Sequence, residues 1–297
     1  MKKIFTLIIL VFTLFSCSKK ENTPSENKID PQNKKPVISV SIPPLKWVTE
    51  KITGEDFTVN SVVASNVSPE LFDPAIKTIE DLENSDLYFS FDLFNFEHKL
   101  EDAVSNKNKI FNVIDNKNIS LVKEDESGHN GEDSDHDHGD YDPHVWFSIN
   151  NIGHIAENIK NILSEKYPDK KDLFEKNYNN FLAEINDFKA KSDDKIKTKK
   201  EKTFIIYHPA LTYFAKDNNL TQISIEQSGK EPTAQYLASI IQKIKENNIK
   251  VLLVQPQFPK TSTEAISKEV SDVKIVEFNP LEENIFENLN KFIDSLE

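Results

Sequence analysis

The chain has 297 residues, 37% hydrophobic and 29% charged, enough for about two domains with cores of their own. Its 36 basic residues are all lysine and face 49 acidic ones, a formal net charge of −13. Such a surface argues against nucleic acid, whose binding rests on phosphate neutralisation, and offers no guanidinium fork for phosphate or carboxylate ligands. One cysteine, Cys17, excludes an internal disulfide, a CxxC redox pair and a cysteine-rich zinc module.

Met1-Lys2-Lys3 is a short positive start, and Ile4 to Ser16 is then almost wholly apolar. As a helix that run is about 20 Å long, short of the ~30 Å of a bilayer core. Positive start, short apolar run and a small residue before a cut form the pattern of a secretory leader. Leu14-Phe15-Ser16-Cys17 resembles a bacterial lipobox, with Phe15 bulkier than that box usually has. The resemblance implies cleavage before Cys17 and lipid on its thiol and amine; an ordinary leader with a cysteine by chance is the alternative. Ser18 to Pro36 is polar without apolar periodicity and reads as a flexible tether.

Val37 to Ile42 is rich in β-branched residues and predicts a strand, ended by Pro43-Pro44. A helix over Leu45–Lys51, a strand over Asp56–Val63, a helix over Ala75–Asn84 and a strand over Asp86–Phe91 follow. Next come a helix over Phe94–Val104 and a strand over Ile110–Ile114. Residues 123–143 break this order with a low-complexity loop of acids and histidines. Asn150–Lys166 is helical, and Asp169 to about Lys197 is a long charged helix. Its apolar stripe, including Phe174, Phe181, Ile185 and Phe188, suits packing between two domains. Strands over Thr203–Tyr207, Gln222–Ile225, Val251–Val254 and Lys274–Phe278 then alternate with helices over Tyr213–Asn218, Ala234–Asn247 and Thr261–Val270, before a helical C-terminus. The expected fold class is α/β, two domains with mainly parallel sheets joined by a long helix. The expected divisions are a leader (1–16), a lipidated Cys17 with tether (17–36), an N-terminal α/β domain (37–166), a linking helix (167–200) and a C-terminal α/β domain (201–297).

His129, His136 and His138 lie in the loop among Glu132, Asp133, Asp135, Asp137 and Asp140. Imidazoles beside carboxylates make a weak, adaptable divalent-metal site; a solvated acidic loop is the plainer reading. Four further residues each touch a proline: Glu70 after the second strand, His144 before Val145-Trp146, His208 after the strand ending at Tyr207, and Asn279 after the last strand. Ends of strands are where open α/β sheets place ligands, and prolines give such loops rigidity. For His144 a fixed ligand and a capped structural histidine fit the residues equally well.

Several motifs together resemble the zinc and manganese group of metal-binding solute-binding proteins of ABC transporters. Asp142-Pro143-His144-Val145-Trp146 is similar to that family's D-P-H-x-W, and Pro69-Glu70-Leu71-Phe72-Asp73-Pro74 to its P-H-x-Y-E-P. Asn84-Ser85-Asp86-Leu87 resembles N-A-D-L, and His208-Pro209-Ala210-Leu211-Thr212-Tyr213-Phe214 resembles H-x-A-F-x-Y-F. Glu231-Pro232-Thr233 and Gln255-Pro256-Gln257-Phe258 are similar to E-P-S and E-P-Q-F. Glu70 stands where the family usually has a histidine, and Asn279 where many members have Asp. The resemblance implies a metal site in an interdomain cleft, held by Glu70, His144 and His208 with water or Asn279 as fourth ligand. It implies Zn²⁺, since two imidazoles and a carboxylate suit zinc; Mn²⁺ prefers more oxygen. Glu226 and Gln255 would orient an imidazole from outside. His98 is expected to pack and His154 to lie at the surface.

The implied function is extracytoplasmic, high-affinity zinc capture by a lipid-anchored monomer. It would deliver the ion to an ABC permease and its ATPase. A manganese or iron member of the family and a surface adhesin lipoprotein are the alternatives, with a zinc hydrolase more remote. No H-E-x-x-H, no G-x-S-x-G and no general base beside the candidate ligands supports an enzyme.

Overall fold

Residues 35–114, 118–123, 141–227 and 229–296 are described in the computed structural model. The leader, Cys17, the tether up to residue 34, and His129, His136 and His138 lie outside the described residues.

The first sheet is formed by β1 (Val37–Val40), β2 (Thr58–Ser61), β3 (Leu87–Ser90) and β4 (Ile110–Asn112), in spatial order β2-β1-β3-β4. All its pairs are parallel, with Ile38 opposite Val59 on one side and Leu87 on the other. β3, Leu-Tyr-Phe-Ser, is buried along its whole length, as a parallel strand covered on both faces must be. Its start is pinned by Asp86, whose Oδ2 accepts a 2.7 Å hydrogen bond from the Val37 N–H. Helices α1 (Pro43–Thr53), α2 (Ile76–Glu83), α3 (Asn95–Ala103) and α4 (Ile149–Lys166) belong to this half. Pro43 and Pro44 do more than end the strand. They form the first turn of α1, where a missing N–H costs nothing, and the strand stops at Val40.

The second sheet repeats the winding with β5 (Thr203–Ile206), β6 (Thr221–Ser224), β7 (Val251–Val254) and β8 (Lys274–Glu277). Its order is β6-β5-β7-β8, again all parallel. Around it lie α6 (Thr212–Asp217), α7 (Ala234–Asn247), α8 (Thr261–Glu269) and α9 (Ile285–Ser295). The period-two alternation along β5 divides its side chains. Phe204 and Ile206 join a core shared with the first half, whereas Ile205 and Tyr207 face a smaller core with Ile240, Ile244 and Ile266.

Helix α5 (Lys171–Thr198) spans the two halves. It buries Phe174, Phe181, Ile185, Phe188 and Ile196 and packs on α1 and α4 from the first half and on α9 from the second. An aromatic cluster marks the junction. Phe188 stacks on Phe286 of α9 with centroids 4.2 Å apart, and Trp47 of α1 meets Phe181 and Phe286 edge-on at 5.2 and 5.0 Å. Among the described residues no helix is long and apolar enough to cross a membrane.

Each sheet reverses its strand order beside its first strand, at β1/β3 and at β5/β7, and the crevice at such a point lies beyond the C-terminal strand ends. The loop after β2 meets the loop after β7, where Gln257 Nε2 donates to the Ser65 carbonyl at 2.7 Å. Trp146 Nε1 donates across to the Pro280 carbonyl at 3.2 Å. The C-terminal strand ends of both sheets therefore line one shared cleft.

The α5–α9 stacking gives a direct test. Phe188→Ala should cost about 3 kcal/mol, as for other buried aromatics. It should appear in urea unfolding as a lower midpoint at unchanged slope. A loss under ~1 kcal/mol, within the range of ordinary surface changes, would show that this contact does not hold the halves together.

Candidate metal centre

His208 is the second residue beyond β5, and three side chains fix it. Its N–H donates to Gln255 Oε1 at 2.7 Å, and Gln255 Nε2 donates back to the His208 carbonyl at 3.0 Å. An amide just past β7 thus pairs with the backbone of His208 much as a neighbouring strand would. The ring Nδ1 lies 2.8 Å from Oε1 of Glu226, a buried residue just past β6, and the ring face stacks on Phe258 at 5.1 Å. A carboxylate on Nδ1 directs Nε2 into the cleft and makes it a better donor to a metal.

His144 is held by the same device in another form. The Asp142 Oδ1 accepts from the His144 backbone N–H and pairs with its Nδ1, both at 2.9 Å. Burial pushes the Asp142 carboxyl up, but the His144 imidazole and its hydrogen bonds outweigh this and hold it below the usual carboxylate range. The Tyr213 hydroxyl, from α6, donates to the Asp142 carbonyl at 2.7 Å and accepts from the Val122 N–H at 3.1 Å. The root of the acidic loop is thereby tied to both the centre and the second half.

Glu70 sits in a short 3₁₀ turn, Pro69–Leu71, opened by its proline. Ser68 Oγ donates to its Oε2 at 3.3 Å. The other oxygen, Oε1, lies 2.8 Å from His208 Nε2 and 3.7 Å from His144 Nε2, and the two Nε2 atoms are 3.3 Å apart. This is the one cluster of at least three histidine, cysteine or acidic side chains found with metal-binding spacing among the described residues. A tetrahedral zinc with bonds of about 2.0–2.1 Å has donor–donor edges of about 3.3 Å. The three separations straddle that value, and the cavity they share with Trp146, Gln257 and Phe258 has a volume of about 20 Å³, room for one ion or one water. The donor set and spacing fit zinc.

Without a cation, burial works against charge on His208, but Glu226 and Glu70 outweigh it and hold the imidazole well above its usual range. A proton on Nε2 then bridges to Glu70.

Asn279 follows β8, as the sequence suggests, but its side chain is engaged elsewhere. Its Oδ1 accepts from Gln257 Nε2 at 2.6 Å and from the Leu281 N–H at 3.0 Å. Asn279 does not line the cavity, whereas Gln257, Phe258, Pro280 and Leu281 do. Glu226 orients an imidazole as expected, while Gln255 holds the histidine backbone instead. The roles of Asp142, Gln257 and Phe258 were not drawn from the sequence, although their motifs were; a carboxylate two residues before a candidate ligand was the available signal. His98 does not pack: it is half exposed, with Nε2 3.0 Å from Asp92 Oδ1. His154 is at the surface near Glu157.

Known proteins are similar to this chain in sequence and fold. The family model described as "Zinc-uptake complex component A periplasmic" matches residues 38–297. The chain is 26% identical over 295 residues to the zinc-binding lipoprotein AdcA of Streptococcus pneumoniae, covering 95% of this chain and 56% of that protein. It is 26% identical over 282 residues to the high-affinity zinc uptake system protein ZnuA of Bacillus subtilis, covering 91% and 84%. A crystal structure of ZnuA superposes with a TM-score of 0.78 at 30% identity, over 88% of this chain and 97% of that one. The chain spans just over half the length of the AdcA proteins it matches. It belongs to the ZnuA family.

The His208 geometry predicts a titration. In the metal-free protein the His208 ring should stay protonated through neutral pH in an NMR titration, and Glu226→Gln should bring its pKa down. The stabilisation from this pairing is then complete below the unfolded value of about 6.5 and is lost as pH rises through the higher folded value. Titration of His208 near its ordinary value would contradict the pairing.

Proposed function

We propose that this chain captures Zn²⁺ outside the cytoplasm and hands it to an ABC permease. Glu70, His144 and His208 are the ligands, and Asp142 and Glu226 are the carboxylates that aim the imidazoles. The observation that carries this reading is the triangle of donor atoms at 2.8, 3.3 and 3.7 Å, drawn from both halves of the fold. The names of the similar proteins AdcA and ZnuA support zinc as the cargo. The reading is a binding function and not catalysis: both imidazoles are committed to orienting carboxylates and the cavity has little room beyond one ion. Cys17, in the segment that resembles a lipobox, is the proposed anchor, with Ser18 to Pro36 as tether. The histidines of the loop, His129, His136 and His138, are proposed as weaker collecting ligands.

Uptake is an exchange of protons for metal. The ion must displace the proton held on His208, so apparent zinc affinity falls as pH falls. Because that imidazole is held above its usual range, competition by protons extends through neutral pH.

Isothermal calorimetry tests both points. His144→Ala and His208→Ala should each weaken zinc by more than about a hundredfold, beyond the loss typical of outer-shell changes. Glu70→Ala should also weaken it strongly. Wild-type affinity in all three variants would refute the assignment. Repeating the wild-type titration in buffers of different ionisation enthalpy at pH 7 should show net proton release. No release would contradict the exchange.

A further inference from the structure

One residue that lines the cavity carries a polar atom whose bonding is incomplete. Gln257 lies in the loop after β7 and lines the cavity with Glu70, His144 and His208. Its Oε1 is buried and meets no hydrogen-bond donor among the described residues. Leaving a buried amide oxygen without a partner costs about 1–3 kcal/mol, so such an atom on a residue that lines a binding cavity calls for a partner.

The orientation of this amide is dictated by its neighbours. Its Nε2 donates to the Ser65 carbonyl at 2.7 Å and to Asn279 Oδ1 at 2.6 Å. Ser65 offers a backbone carbonyl, which can only accept. The Asn279 atom is identified as oxygen because it also accepts from the Leu281 N–H at 3.0 Å. Both partners therefore require nitrogen on that side of Gln257, and turning the amide over would set oxygen against oxygen twice. The oxygen is left as the acceptor without a donor.

We infer that Gln257 Oε1 is the fourth donor of the metal centre, and that Asn279 is a positioning residue that acts through Gln257. This rests on the zinc-binding reading above. The resulting set is two imidazole nitrogens, one carboxylate oxygen and one amide oxygen, all N and O donors of the kind zinc accepts. It explains why Asn279 follows a strand beside the cleft yet turns its oxygen away. It also gives the site one ligand from each of four separate loops: Glu70 after β2, His144 before α4, His208 after β5 and Gln257 after β7. The amide adds no charge, so Glu70 remains the sole carboxylate in direct reach of the ion.

The test uses the full chain with Zn²⁺ by competition titration and Co²⁺ by its visible ligand-field spectrum. Gln257→Met keeps the bulk of the side chain and removes its oxygen. It should weaken zinc by about tenfold or more and alter the cobalt bands, which loss of loop anchoring alone would not move. Asn279→Asp still accepts from both Gln257 Nε2 and the Leu281 N–H. Asn279→Ala removes the acceptor that holds Gln257 Nε2 and should weaken zinc and shift the cobalt bands, whereas Asn279→Asp should restore the bands. Wild-type affinity and spectrum in Gln257→Met would overturn the inference. So would new cobalt bands with much tighter zinc in Asn279→Asp, which would make residue 279 the ligand. His144→Ala and His208→Ala separate the levels. If they abolish binding while Gln257→Met does not, only the fourth donor is wrong; if they leave binding intact, the zinc site and this inference both fall.

Discussion

Two imidazole nitrogens from different halves of the chain stand 3.3 Å apart in a cavity with room for one ion, each backed by a buried carboxylate. Glu70 brings a third carboxylate oxygen to the same point. Two buried carboxylates and one partly buried one around two imidazoles leave negative charge in a poorly solvated place, a state that is costly unless a cation or protons compensate it. The raised affinity of His208 for a proton is one expression of that demand. A divalent cation would answer it better, because at the proposed site it would meet Nε2 of both rings and the carboxylate at once. The selectivity of the site for a cation thus follows from its charge before any detail of coordination.

The fold supplies this geometry by repetition. Both sheets wind in the same order and point their C-terminal strand ends into one cleft. The loops after β2, β5, β6, β7 and β8 therefore converge without any long excursion of the chain. Helix α5 and its aromatic contacts with α1 and α9 keep the halves in register, so donors from separate sheets can meet to within tenths of an ångström. The cross-cleft bonds from Trp146 to Pro280 and from Gln257 to Ser65 reinforce the same approach close to the centre.

Much of this was legible in the residues. Eight strands and the long helix follow from apolar runs and helical periodicity, and Glu70, His144 and His208 each stand beside a proline at the edge of an element. Asn279 carries the same marks, yet the structure turns its oxygen to Gln257 and Leu281. The reason is physical: position after a strand fixes where the backbone goes, whereas the hydrogen bonds of a short amide depend on which N–H groups the neighbouring loops present. Those neighbours, at 257 and 281, come from another strand and from a later turn. Gln257 stands in the Gln255-Pro256-Gln257-Phe258 motif but has no local signal of its own, since its role appears only when the loops after β2 and β8 close on it. His98 shows the same limit in a milder form. Its surroundings read as apolar, but it pairs with Asp92 at the surface.

The position of the bound metal is the most direct test. Crystals of the full chain grown with zinc and measured on both sides of the zinc absorption edge would locate the ion without reference to any assumed ligand. The account predicts one strong anomalous peak within bonding distance of Glu70, His144 and His208. A peak confined to other parts of the chain, with the Glu70–His144–His208 triangle empty, would contradict it.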